Sequence, residues 1–291
     1  MNLIRADLYR IFRGKGIYIT FASLLASNFF IVVVIGFIIS FTADMITNDP
    51  FIAAQMEEAM SGMQEIMGEM PEEVAAILEG AWPDTVWEMT ELLIGGSNNL
   101  IFFLLPLLIF ISGVMFDYGT VKNTLARGMC RVKLYFSKLI LSAIFTLVLL
   151  LFYMSTGMFM AFLMGGLSTP LSETPWADLF QTLVIVYIIL FAVACIGTFI
   201  IFVTRRIGMT IGIYIAFFIA TQLVFVSIAS IVPGLGWLAE FDLSFSLQRL
   251  SNFLVPDPIP SNLIMTLGVS VFYIVVSTAL GIVLFRKAEI K

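Results

Sequence analysis

Six stretches of this chain run for about 20 residues or more with almost nothing that water would solvate: Ile17–Phe41, Asn98–Phe116, Leu134–Leu163, Phe180–Thr204, Ile207–Val232 and Asn262–Phe285. A bilayer's hydrocarbon core, about 30 Å thick, takes about 20 helical residues to cross. Once Lys138 is counted with the basic loop that leads into the third stretch, none of the six contains Asp, Glu, Lys or Arg. The whole chain is 60% hydrophobic and 12% charged, whereas soluble domains are about 45–50% apolar and about 25% charged. One core cannot hide that excess, so lipid must solvate it. The expected fold is all-α: a polytopic membrane protein with six transmembrane helices, an N-terminal amphipathic interfacial helix and a small helical extracellular cap.

The first stretch follows a basic terminus, as a signal peptide would. A signal-peptide core, however, spans only about 7–15 residues and ends at a small-residue cleavage site. Ile17–Phe41 is longer, with no A-x-A pattern closely following. It reads as a retained span.

Charge sets the orientation. Arg5, Arg10, Arg13 and Lys15 precede span one, and Lys122, Arg127, Arg131, Lys133 and Lys138 lie between spans two and three. Arg205 and Arg206 separate spans four and five, while Arg286, Lys287 and Lys291 follow span six. Alternation therefore puts every basic residue except Arg249 on one side, with only Asp7, Asp117 and Glu289 among the acids. Basic loops stay cytoplasmic. Both termini are expected in the cytoplasm of a multi-pass cell-membrane protein.

The largest outer segment, residues 42–97, holds twelve acidic residues and no basic one. Asp49-Pro50 offers a helix start. Ile52, Met56, Met60, Met63, Met67 and Met70 then recur near the helical period. Pro71-Glu72-Glu73 restarts a short helix that Gly80 can close, and Asp84 can cap another reaching Gly95-Gly96. The last outer loop, 233–261, carries Trp237, Phe241, Phe245, Phe253 and several prolines. It is expected to dip into the interface as short helices.

Absences narrow the function. The chain has no histidine, which removes the usual general base, metal ligand and pH switch. Cys130 and Cys195 make no C-x-x-C or zinc spacing, and free, inert thiols are expected. No G-x-x-x-x-G-K-[ST] loop is present to cradle ATP phosphates. No catalytic residue and no metal site are assigned. Ion-coupled transporters place an ionisable residue at membrane depth, and the spans as counted offer none. Any uphill transport then draws its energy from a partner.

Two basic segments are candidates for meeting that partner. Residues 1–16 set Leu3, Ile4, Leu8, Ile11 and Phe12 on one helical face, with Arg5, Arg10 and Arg13 elsewhere. That is an amphipathic helix lying along the inner leaflet, although a plain topology anchor would look the same. In the 117–133 loop, Gly119-Thr120 can start a short helix, Thr120–Arg127, that Gly128 ends as a left-handed cap. Docking a cytosolic partner and merely satisfying the positive-inside rule are equally open on these residues.

The opening NLIRADLYRIFRGK is similar to the start of permease subunits in the type-2 ABC exporter family, and the ending FRKAEIK to that family's basic close. The segment GTVKNTLARGMCRVKLYFSKLI resembles the family's loop after span two, matched by Asp117, Gly119, Thr120, Lys122, Asn123, Gly128, Arg131 and Lys138. These motifs cover about 45 residues, and the six-span topology covers the rest. The resemblance implies two permease subunits, identical or not, above two ATP-binding-cassette ATPase subunits. The chain itself would bind no cofactor; ATP and Mg would belong to the partner. The amino-terminal amphipathic helix and the loop helix, about Thr120–Arg127, would transmit closure of the ATPase pair, with Asp117, Gly119, Thr120, Lys122, Asn123, Arg127, Gly128 and Arg131 coupling the chain to it. The family also implies short re-entrant helices before span six. The first outer loop is longer and richer in Met than in minimal members, which leaves the cargo open. Methionine suits adaptable apolar surfaces, so Met56, Met60, Met63 and Met67 are possible contacts for a cationic amphipathic substrate, against the plainer reading that they pack the cap. Copper binding by these thioethers is a thinner reading still.

The expected function is export of an antimicrobial peptide, drug or lipid-like molecule by such a permease. Alternatives are a stand-alone secondary transporter or channel, and a non-transporting receptor or immunity protein. The lipid bilayer is an expected partner; nucleic acid is not.

Overall fold

Lipid offers no hydrogen bonds, so a chain this apolar must satisfy its backbone within each segment, which leaves helices or closed barrels. The computed structural model describes residues 2–48, 93–164, 176–232, 236–250 and 261–287, and every regular element among them is helical. In chain order these are α1 (Asn2–Arg13), α2 (Lys15–Asn48), α3 (Leu93–Asp117), α4 (Thr120–Ala126), α5 (Arg131–Met164), α6 (Trp176–Thr204), α7 (Ile207–Thr221, continued by a π turn and Ser227–Ile231), α8 (Leu243–Arg249) and α9 (Ser261–Lys287). A 3₁₀ turn, Gly236–Phe241, precedes α8.

Among the described residues, five helices are long and apolar enough to cross a membrane: those over Leu93–Asp117, Arg131–Met160, Phe180–Thr204, Ile207–Ala229 and Ile264–Lys287. The sequence reading has six spans; its first lies within α2, a 34-residue helix. The Met-rich segment, including Met56, Met60, Met63 and Met67, lies outside the described residues.

The chain divides into two compact units. The first comprises Met1–Leu24, Glu91–Phe152 and Trp176–Lys291; the second comprises Leu25–Thr90 and Tyr153–Pro175. Within the second, Asn28 is buried and donates to Thr156 Oγ1 (2.6 Å) and Tyr153 O (3.2 Å). An amide in apolar surroundings must find such partners.

Within the first unit α6 is the central helix: 72% of its most apolar stretch is buried, against 12% for α7. It packs along α9, α3 and α7. Close approach is allowed by glycine. A Cβ on Gly197 of α6 would stand 2.5 Å from a methyl of Leu108, and one on Gly281 of α9 would stand 2.4 Å from the Tyr135 hydroxyl.

Helix α3 and the α6–α7 connection depart from ideal geometry. In α3, Pro106 sits inside the helix and a π turn follows over Ile109–Gly113. Proline lacks the N–H that would bond one turn back and its ring crowds that carbonyl. The widened turn also brings Phe110 over α2, where a Cβ on Gly16 would meet its ring at 1.9 Å. Between α6 and α7 the chain reverses on two residues, Arg205 with φ 54° and Arg206 with an extended backbone. Thr204 and Thr210 close that reversal through a 2.6 Å hydroxyl contact.

Candidate functional site

The residues carrying the family resemblance gather at one end of the first unit. α4 opens after Gly119 (φ 63°) and closes before Gly128 (φ 82°), both left-handed. The helix ends one residue short of the Thr120–Arg127 read from sequence, because Arg127 has already left helical geometry. Thr120 Oγ1 donates to Met115 O at 3.1 Å, and Thr124 Oγ1 to Thr120 O at 2.9 Å, so the short helix is tied to the end of α3. Its inner face buries Val121. Its outer side exposes Lys122, Asn123 and Arg127, flanked by exposed Asp117 and Tyr118. Tyr118 is 79% exposed, an aromatic that the sequence reading passed over.

Beneath α4 lies an aromatic cluster drawn from four helix ends. Phe202 of α6 makes edge-on contacts with Phe116 of α3 (5.3 Å), Tyr135 of α5 (4.8 Å) and Phe285 of α9 (4.9 Å). Met115, Val121, Leu134, Leu139 and Cys195 complete it. The ends of α3, α6 and α9 and the start of α5 therefore meet at one level, as alternating crossings require. Edge-to-face pairs contribute about 0.5–1.5 kcal/mol each beyond area burial. Cys195 is buried here and Cys130 exposed; both are free thiols.

Arg131 reaches the end of a neighbouring helix. Its guanidinium donates to Phe285 O (3.2 Å) and Arg286 O (2.9 Å), capping the last turn of α9. A cation there satisfies terminal carbonyls and meets the negative end of the helix dipole.

One sequence reading needs correction. Lys138, grouped with the loop by sequence, lies inside α5 and is 1% exposed. Its ammonium is 2.6 Å from Asp7 Oδ2. An apolar helix of this length tolerates one lysine when a carboxylate reaches it, and Asp7 is that carboxylate. On α1, Asp7 and Ile11 are buried while Phe12 is 55% exposed. Ile11, from the apolar set read in the sequence, thus faces inward beside Asp7, and the Phe12 ring lies at the edge of that face, against Phe145. Arg10 donates to Ile111 O in the α3 π turn at 3.3 Å.

At the other end of the unit, the segment before α9 folds back among the helices. Asp242 is fully buried and caps α8 by accepting from Ser244 N (3.3 Å) and Phe245 N (3.1 Å), with Thr221 Oγ1 of α7 at 3.4 Å. Tyr273 Oη of α9 donates to Phe241 O at 3.1 Å. Thr221 lies about 12 Å along its helix from Ala229, at about 1.5 Å rise per residue. A carboxyl therefore sits well inside the bundle's length, where the sequence reading found no ionisable group. Burial pushes the Asp242 carboxyl up, and the Phe245 and Ser244 amides and the Thr221 hydroxyl pull it back. The only sequence signal for it is Asp before a short apolar helix start, a pattern shared by ordinary N-caps.

Among the described residues, five apolar helices of bilayer-crossing length make this a multi-pass α-helical membrane protein. No protein-family model, curated protein or solved structure matches it.

Proposed function

We propose that the chain is the transmembrane permease subunit of an ATP-binding-cassette exporter. In this reading α2 is the sixth span, both termini are cytoplasmic, and two such subunits form the path for an amphipathic or hydrophobic molecule. A separate subunit binds and hydrolyses ATP with Mg, and this chain performs no catalysis. The observation that carries it is α4: a short helix with charged residues facing out, fixed by two left-handed glycines and seated on the aromatic cluster where four membrane-length helices end. Force applied there reaches four helices together. The second permease subunit is supported by α7, where Gly208, Gly212, Ala216 and Ala220 recur every fourth residue on the exposed side. Among the described residues, no neighbouring side chain comes within 4 Å of a Cβ on either glycine, and small residues at this spacing let membrane helices approach closely.

Purification in mild detergent should retain an ATP-binding protein. Lys122→Glu and Arg127→Glu should weaken its retention, whereas Arg131, which caps α9, is unsuited to the test. If both reversals leave ATPase retention and ATP-dependent transport at wild-type level, the docking surface is wrongly placed.

Asp242 favours a second reading, a stand-alone ion-coupled transporter, because a buried carboxyl at depth is what such proteins use. Gradient-driven flux in vesicles holding only this chain, lost in Asp242→Asn, would establish it over the exporter.

A further inference from the structure

The Asp7–Lys138 pair is poorly explained as glue. Two charges leave water to form it, and apolar residues of similar volume usually stabilise a buried site as well or better. What an ion pair imposes is one register. An amphipathic helix resting on apolar neighbours can slide or roll at little cost, since one apolar contact replaces another. Drawing Asp7 away from Lys138 instead strands an ammonium that is 1% exposed. The Arg10 guanidinium reinforces the same register, reaching Ile111 O at 3.3 Å and Asp7 Oδ1 at 3.6 Å. That carbonyl belongs to the π turn after Pro106, so α1 is pinned by polar contacts to α5 and α3 at once. Phe12 and Phe145 pack beside the pair, ring centroids 6.1 Å apart.

We propose that Asp7 and Lys138 are positioning residues that lock α1 in register with α5, so that α1 and the ends of α3 and α5 move as one body. Resting on the exporter reading, the lock is what would let α1, which the family resemblance already implies transmits closure of the ATPase pair, pass that motion to α3 and α5.

The register and its use are tested separately. In a Cys130→Ser chain, Phe12→Cys should cross-link with Phe145→Cys and not with Leu141→Cys or Leu149→Cys, one turn away on α5. Replacing the pair by Asp7→Leu with Lys138→Met should leave the protein folded and monodisperse but spread cross-linking to the neighbouring positions. An unchanged cross-linking pattern overturns the lock, whatever the protein transports. For its use, the same double variant should keep its ATP-binding partner and the partner's ATP hydrolysis. Transport should fall about tenfold, within the usual range of coupling between sites, and the swapped pair Asp7→Lys with Lys138→Asp should recover part of it. Spread cross-links with full transport would overturn the lever role. Failure of wild-type chain to retain any ATPase would overturn the exporter reading and leave the lock to be judged on its cross-links.

Discussion

At the scale of single residues, the buried charges carry the sharpest expectations. Asp242 has its carboxyl pushed up by burial, so the folded state holds that proton more tightly than the unfolded chain does. Stability then falls as pH rises from the ordinary carboxyl range near about 4, which is opposite to a salt-bridged aspartate. Thermal unfolding in detergent should show that slope in the wild type and a flatter one in Asp242→Asn, which keeps an acceptor without the charge. Asp242→Ala should lose about 0.5–2 kcal/mol, the usual cost of a missing N-cap. Glycines give a matched comparison. Gly281→Ala meets the buried Tyr135 ring and should cost about 1–3 kcal/mol, as overpacking does. Gly208→Ala has open space around it and should stabilise the isolated subunit by up to about 1 kcal/mol through helix propensity. Chemical denaturation of the two variants checks both signs.

Among the elements, α4 depends on its two left-handed ends. Gly119→Ala and Gly128→Ala should each cost about 1–2 kcal/mol locally, seen as faster amide exchange over Thr120–Ala126 with the membrane-length helices unaffected. Most of this element was legible in the sequence, because Gly-Thr at its start and Gly128 beyond its end are local signals with a local cause. Lys138 was not. Its place is decided by Asp7, more than a hundred residues earlier, and no window along the chain brings the two together. The π turn in α3 was equally hidden, since Pro106 announces an irregularity without saying how neighbouring turns absorb it.

For the whole molecule, the long apolar runs settle the membrane class, and the aromatic cluster shows α3, α5, α6 and α9 ending at a common level. Span length is set by bilayer thickness, a constraint that acts on each segment alone, so each apolar run can be read by itself. The folded-back segment before α9 was anticipated from its aromatic residues and prolines; its depth depends on hydrogen bonds from Thr221 and Tyr273 that composition cannot reveal. If two copies meet through α7, Gly212→Leu should shift the purified protein toward monomer in light scattering while leaving its helical content unchanged.

Nature has also left a reporter in this protein. Cys130 lies exposed two residues beyond Gly128, whereas Cys195 is sealed in the core. An impermeant maleimide therefore has a single accessible target among the described residues, at the foot of α4. Its labelling of intact cells, compared with inverted vesicles, reads out which compartment that surface faces without altering a residue. Protection of the same thiol on adding a nucleotide-loaded ATPase would mark the docked state directly.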